Sequence, residues 1–189
     1  EATIELEHNT GADSIAIAFK YPPRELLDPA RSVPHLGPLN ERVVLIKDLG
    51  VDHVIEIDFD DQIRNIGADD FVRILMAELD MKGLVLGPGA TVGHDRGGDE
   101  ARMKALSEDW GFELRVVQPA QVNGVVARSS TIRTALRSGD MAIASELLGR
   151  TFSITGTVTE GDRRGRTLGG PAADITPAPA GVSPSDVIY

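Results

Sequence analysis

Apolar positions recur along this chain at two alternating periods. Residues 14–19 (SIAIAF) form a short apolar run of the kind a buried strand shows, and the turn-rich Tyr21-Pro22-Pro23 follows. Leu39, Val43 and Ile46 then recur at helical spacing, with Asn40 predicted as the N-cap and Gly50 as the stop. Residues 54–57 predict a second strand, and Phe71, Ile74, Leu75 and Leu79 an amphipathic helix. Residues 84–86 predict a third strand, which opens into a glycine-rich stretch over 87–98. Met103, Leu106 and Trp110 stripe a third helix, residues 114–117 return as a fourth strand, and 129–148 read as helix with a break near Gly139.

Strands alternating with helices predict an α/β fold built of parallel β-α-β units around a doubly wound sheet. Ligands of such sheets sit beyond the carboxyl ends of the strands. The loops after Phe19, Ile57, Leu86 and Val117 therefore surround any predicted site. The pattern changes after Arg150. Residues 151–159 (TFSITGTVT) alternate and are rich in β-branched side chains, which predicts a strand of a separate all-β unit. Residues 161–170 read as a glycine and arginine loop, and 171–189 are crowded with Pro and Ala. The expected division is an α/β domain over 1–149 and, over 150–189, the incomplete start of a β-barrel domain, since so short a segment does not close a core alone.

Composition narrows the function. A hydrophobic content of 41% suits a globular chain and argues against disorder over most of it. No apolar run reaches membrane-helix length and no secretory pattern opens the sequence, so no membrane partner is expected. The absence of cysteine removes disulfides, thiolate catalysis and thiolate metal sites, and fits a reducing, cytoplasmic setting. A net charge of −10 argues against broad nucleic-acid binding. Within that acidic background, residues 114–139 hold no acidic side chain but contain Arg115, Arg128, Arg133 and Arg137, and Arg163-Arg164-Gly165-Arg166 forms a second basic island. One reading is chance clustering on solvated faces; the other, for two islands in an acidic chain, is a docking surface for a small polyphosphate ligand, not a polymer.

The strongest local signal is Arg128-Ser129-Ser130-Thr131-Ile132-Arg133. Ser or Thr at a helix start is first an N-cap, which accounts for two of the three hydroxyls. The same start presents free backbone N–H groups and the positive end of the dipole, which suit a phosphate, and Arg133 follows Ser130 by about one turn. Hydroxyls, amides and guanidinium thus fall where they can meet one anion. Other candidates are weaker. His35, His53 and His94 lack metal-ligand spacing and read as surface or structural residues. Gly87-Pro88-Gly89 lacks the following Lys-Ser/Thr of a P-loop. Asp58, Asp60 and Asp61 read as a solvated acidic turn before they read as a cation cluster.

Ser129-Ser130-Thr131-Ile132-Arg133, with Ala135-Leu136, Gly139-Asp140 and Leu147-Leu148-Gly149-Arg150, resembles the signature helix of bacterial bifunctional riboflavin kinase/FAD synthetases. Further segments match that family in order. Tyr21-Pro22-Pro23-Arg24-Glu25 resembles its Pro-His-Pro-Arg-Glu turn, and Gly50-Val51-Asp52 with Phe59 resembles its second-strand region. Gly87, Gly93, Arg96, Gly98 and Asp99 match its glycine-rich loop, and Gly161-Asp162, Gly165-Arg166, Leu168-Gly169 and Pro171 resemble the opening of its kinase domain.

The resemblance implies a Rossmann-like nucleotidyltransferase fold and adenylyl transfer from ATP to FMN, giving FAD and pyrophosphate, while the parent family also phosphorylates riboflavin to FMN with Mg2+ and ATP. It implies that Ser129, Ser130, Thr131 and Arg133 hold the nucleotide phosphates and that Gly87 and Gly93 bracket the nucleotide loop. Gly161, Gly165, Arg166, Gly169 and Pro171 would form the kinase-like loop, and Asp174, standing where the family has Asn, would offer a carboxylate oxygen to the metal. The expected partners are small nucleotides and flavins. The sequence also departs from the pattern. Nothing in residues 1–11 matches the family's His-x-Gly-His, so the first domain is expected to lack its N-terminal strand and that motif. Phe19-Lys20-Tyr21-Pro22-Pro23 lacks the acid and histidine of Phe-Asp-Pro-His-Pro, Gly89-Ala90-Thr91-Val92 lacks the loop's Asp/Asn-aromatic pair, and Pro171-Ala172-Ala173-Asp174 stands in place of Pro-Thr-Ala-Asn. No residue of this chain is assigned as catalytic. A non-catalytic nucleotide- or flavin-binding module derived from the family is the alternative expectation, and a nucleotidyltransferase with another acceptor is a third.

Overall fold

A computed structural model describes residues 1–21, 34–159 and 174–177 of the chain. The chain divides into two compact units, Glu1–Ser32 with Val43–Pro119 and Val33–Arg42 with Ala120–Tyr189.

The first unit opens on helix α1 (Ala2–Thr10), where residues 1–11 carry no predicted element. Its sequence is polar on nearly every face, and Leu6 alone is buried. Strand β1 (Ile15–Phe19) runs parallel to β2 (His53–Ile57) in a register that pairs Ile15 with His53 and Phe19 with Ile57. Helix α2 (Leu39–Asp48) lies between them in sequence and contains the division of the two units. It begins earlier than its sequence signal, because the Pro38 carbonyl already accepts from the Arg42 N–H at 3.1 Å. Asn40 is therefore inside the first turn and is not the cap.

Beyond β2, the short helix α3 (Asp61–Arg64) is capped by Asp60, which accepts from the Ile63 N–H at 2.9 Å. The acidic turn has local work: Asp58 pairs with Lys20 at 3.5 Å and Asp61 with Arg64 at 3.8 Å. Helix α4 (Ala68–Leu79) buries Ala68, Val72 and Leu75. Of the predicted stripe only Leu75 is buried, and Ile74 faces solvent, so the apolar face is rotated from the one read in sequence. Strand β3 (Gly83–Leu86) pairs in parallel with β4 (Glu113–Val116), and helix α5 (Glu100–Trp110) joins them under an Asp99 cap. Ala68, Val72, Met103, Leu106 and Phe112 form the buried core between α4, α5 and these strands. Arg73 lays its guanidinium over the Trp110 ring, 5.6 Å from the centroid.

Patterning predicts a single doubly wound sheet, whereas the described strands pair two by two, β1 with β2 and β3 with β4, each pair parallel. The parallel sense and the intervening helices agree with the α/β expectation. The predicted buried strand 14–19 is only half-buried over most of its length, with Ala18 its buried strand residue.

The second unit begins its main segment with a hairpin, β5 (Gln121–Val122) and β6 (Val125–Val126), which residue patterning did not predict. Its turn is Asn123-Gly124, with φ of 52° and 78°, the two successive left-handed residues that a tight hairpin turn requires. Helix α6 (Ser129–Arg137) and helix α7 (Met141–Leu148) follow, separated at Gly139 as the sequence predicts. Asp140 caps α7 by accepting from the Ile143 N–H at 3.1 Å. Ile132, Ala135, Leu136, Ala144 and Leu147 make the core of this unit, and Leu36, Val122, Ala127 and Phe152 pack on it. The predicted strand over 151–159 is shorter: β7 spans Gly156–Thr159 and pairs antiparallel with β8 (Asp174–Pro177). Residues 151–155 are not strand, because Phe152 packs on the helical core and Thr155 hydrogen-bonds Glu41 instead of entering a ladder.

Candidate functional site

Of the predicted nucleotide-binding residues, Gly87 and Gly93 belong to the first unit and Ser129, Ser130, Thr131 and Arg133 to the second. The glycine-rich stretch starts at the carboxyl ends of β3 and β4, where the Val117 N–H donates to the Leu86 carbonyl at 2.9 Å. Its two halves differ. Gly87-Pro88-Gly89-Ala90 is a turn closed by the Ala90 N–H on the Gly87 carbonyl at 3.1 Å, and a side chain added at Gly87 would meet nothing within 4 Å. The later half is fastened down. Val92 and Gly98 exchange both backbone hydrogen bonds at 2.9 Å. The His94 N–H donates to the Ile66 carbonyl at 2.7 Å, and its Nδ1 lies 3.2 Å from the Arg64 carbonyl.

Gly93 sits at φ 77°, and a Cβ there would come within 2.4 Å of the Ala68 backbone nitrogen. Its missing side chain thus serves close packing on the start of α4, while Gly87 leaves open space in front of the loop. Asp95 and Arg96 follow with φ of 52° and 57°, two non-glycine residues in the left-handed region. Such conformations persist only where surroundings enforce them.

A salt bridge straps the two helices behind this loop. Arg102 Nε donates to Asp69 Oδ1 at 3.0 Å, and Arg102 Nη2 donates to Asp69 Oδ2, a two-pronged contact between the first turns of α4 and α5. The hydrogen bond to Arg102 holds the Asp69 carboxyl below its ordinary range, and the same contact raises Arg102. Neither residue was singled out in the sequence. Their spacing of 33 residues carries no local signal.

In the second unit, α6 starts without a side-chain cap: Arg128 occupies the N-cap position in extended conformation and its side chain makes no cap hydrogen bond. The three hydroxyls are therefore not consumed as the N-cap. Ser129 and Ser130 are exposed and Thr131 is half-buried. The Arg133 guanidinium is half-buried and already engaged, its Nε donating to the Pro34 carbonyl at 2.6 Å. The hairpin that leads into Arg128 is closed by the Ala127 N–H on the Ala120 carbonyl at 2.8 Å. Its tip is tied to α7 by Asn123 Nδ2 on Glu146 Oε2 at 2.9 Å. The Asn-Gly pair is the sequence signal that finds this hairpin.

The predicted kinase-like loop residues Gly161, Gly165, Arg166, Gly169 and Pro171 lie outside the described residues, as do Pro22, Pro23, Arg24 and Glu25. Asp174 is described as the first residue of β8, and its side chain lies outside the described set. Among the described residues no group of three or more His, Asp or Glu is placed to hold a metal, and no helix is long and apolar enough to cross a membrane. His53 instead faces Asp13 at 3.2 Å.

These features sit in a chain that belongs to the FAD synthetase family, whose family profile matches residues 1–131. The riboflavin kinase family profile matches residues 148–189. Among curated relatives, the chain is 31% identical over 176 residues to the bifunctional riboflavin kinase/FMN adenylyltransferase of Escherichia coli strain K12, covering 93% of this chain and 56% of that protein. It is 32% identical to the protein so named from Pseudomonas fluorescens, covering 93% and 55%, and 30% identical to that of Listeria monocytogenes, covering 87% and 52%. The chain thus spans little more than half the length of these relatives. A crystal structure described as a macrolide-efflux protein from Streptococcus pneumoniae shares the fold, with a TM-score of 0.86 at 24% identity, covering 98% of this chain and 60% of that one.

Proposed function

We propose that the chain is the FAD synthetase-like portion of a flavin-cofactor enzyme, taking ATP, as its Mg2+ complex, and FMN. In the reaction, a phosphate oxygen of FMN attacks the α-phosphorus of ATP, the bond to the bridging α,β-oxygen breaks, and pyrophosphate leaves. Such transfers depend mainly on positioning and charge stabilisation. The observation that carries the reading is the start of α6. Its N-cap residue makes no side-chain cap bond, and it is lined by exposed Ser129 and Ser130 and followed by Arg133, within the stretch that resembles the family's signature helix.

In this reading Ser129, Ser130, Thr131 and Arg133 hold the ATP phosphates, and the open turn at Gly87 lets a nucleotide approach the backbone. Gly93 contributes by fixing the loop against α4. The two parallel strand pairs and the shared fold support a doubly wound nucleotidyltransferase domain over 1–149, with 150–189 as the start of a riboflavin kinase-like β domain. A cytoplasmic setting and freedom from nucleic acid go with small-molecule substrates.

A second reading, a binding module without turnover, is favoured by Lys20 and Pro22. They stand where the family's turn carries an acid and a histidine, and Lys20 pairs with Asp58. One experiment separates the two: calorimetric titration of ATP and FMN alongside chromatographic detection of FAD. Turnover supports the enzyme, binding without FAD supports the module, and no binding of either ligand overturns both. The paired substitution Ser130→Ala with Thr131→Ala should weaken ATP binding by about 3–10-fold if the hydroxyls hold phosphate, and an unchanged affinity removes the start of α6 from the site.

A further inference from the structure

We infer that Arg133 is a positioning residue that fastens residues 34–37 to α6, so that one guanidinium sets both the segment leading into α2 and the anion-facing start of α6. Its Nε donates to the Pro34 carbonyl at 2.6 Å, across 99 residues of sequence. Proline brings an acceptor without a donor, and here that acceptor is reached by a side chain from α6. The bond is charge-assisted and half-buried, which places it among the stronger hydrogen bonds of the unit. One further anchor holds the same segment, and another holds the first turn of α2 just beyond it. Leu36 packs on the Ile132–Leu136–Leu147 core, and Glu41 accepts from the Thr155 hydroxyl.

A guanidinium is planar, so a bond at Nε fixes the plane of the whole fork. An anion held near the start of α6 orders the same plane. Anion binding and docking of residues 34–37 therefore reinforce each other, because each removes freedom the other would have to remove. Lysine at this position keeps the charge but replaces the planar fork with a single ammonium, which cannot set an Nε bond and an anion contact in one plane. The coupling rests on the ATP reading above, whereas the fastening does not.

The test is hydrogen exchange by mass spectrometry on the full chain, following the amides of His35, Leu36 and Gly37 with and without ATP, with calorimetry on the same samples. Without ATP, Arg133→Lys should speed their exchange about tenfold relative to wild type, and Arg133→Gln should do the same. With saturating ATP, wild type should slow at these amides by about threefold and Arg133→Lys should not. Equal exchange in wild type and both variants overturns the fastening. ATP that binds by calorimetry without slowing these amides in wild type overturns the coupling, a result that a purely structural tether also predicts. A wild-type chain that binds no ATP overturns the nucleotide reading and the coupling with it, while the ATP-free comparison still decides the fastening. Should the variants fail to fold, the wild-type pair of measurements decides the coupling alone.

Discussion

Asp52 grips Ser14 at the point where β1 and β2 come together: one carboxylate oxygen accepts from the Ser14 N–H at 2.8 Å and from its hydroxyl at 2.7 Å. The Asp52 N–H returns a bond to the Ser14 hydroxyl at 3.0 Å, and the His53 N–H donates to the Ser14 carbonyl at 3.0 Å. Among the described residues of this unit, Ser14 is the buried polar one. The cluster fixes the parallel register one residue ahead of the first ladder pair, so the carboxyl ends of both strands are aligned from their opposite end.

Hydrogen bonds from Ser14 hold the Asp52 carboxyl below its ordinary range. A lowered folded-state value means that the stabilisation is complete above the unfolded value, roughly pH 4, and is lost as the pH falls through the lower folded value. Urea unfolding of wild type and Asp52→Asn should differ most near neutral pH and converge in strong acid. A gap that stays constant across that window would show that the carboxylate charge does not matter to the clamp.

Gly93→Ala should destabilise the first unit by about 1–3 kcal/mol, because the new methyl meets α4 backbone and the residue holds a left-handed φ. Gly87→Ala, with nothing in the way, should leave stability within about 0.5 kcal/mol. Denaturant midpoints for the two variants give the comparison. If Gly87→Ala nonetheless lowers nucleotide affinity, the open turn is a ligand-facing surface.

Asn123 has two roles that substitution separates. Asn123→Gly keeps the turn conformation and removes the amide that reaches Glu146, whereas Asn123→Ala removes the amide and strains the left-handed residue. The alanine variant should be the less stable by about 1 kcal/mol, read from thermal or urea unfolding. Equal losses would mean that the bond to Glu146, and not the turn, carries the effect.

Periodicity located the helices and strands well wherever an apolar face or run exists, as at Met103 and Leu106 or at residues 84–86. It missed α1, where one buried leucine in a polar helix leaves no stripe to read, and it rotated the face of α4 because Phe71 and Ile74 are as apolar as the residues that are actually buried. The candidate site divides in the same way. The serine-rich start of α6 was legible because cap chemistry is local. The Asp69–Arg102 strap, the seat of Gly93 on Ala68 and the reach of Arg133 to Pro34 were not, since each joins residues that only the folded chain brings together.

The chain holds a single tryptophan, Trp110, and Arg73 covers its ring from the neighbouring helix. An indole under a guanidinium in the Met103–Leu106 unit emits light that responds to the separation of those two helices. Unfolding followed by intrinsic fluorescence therefore tracks one unit, while circular dichroism sums both. Any offset between the two curves measures how independently the halves of this protein come apart.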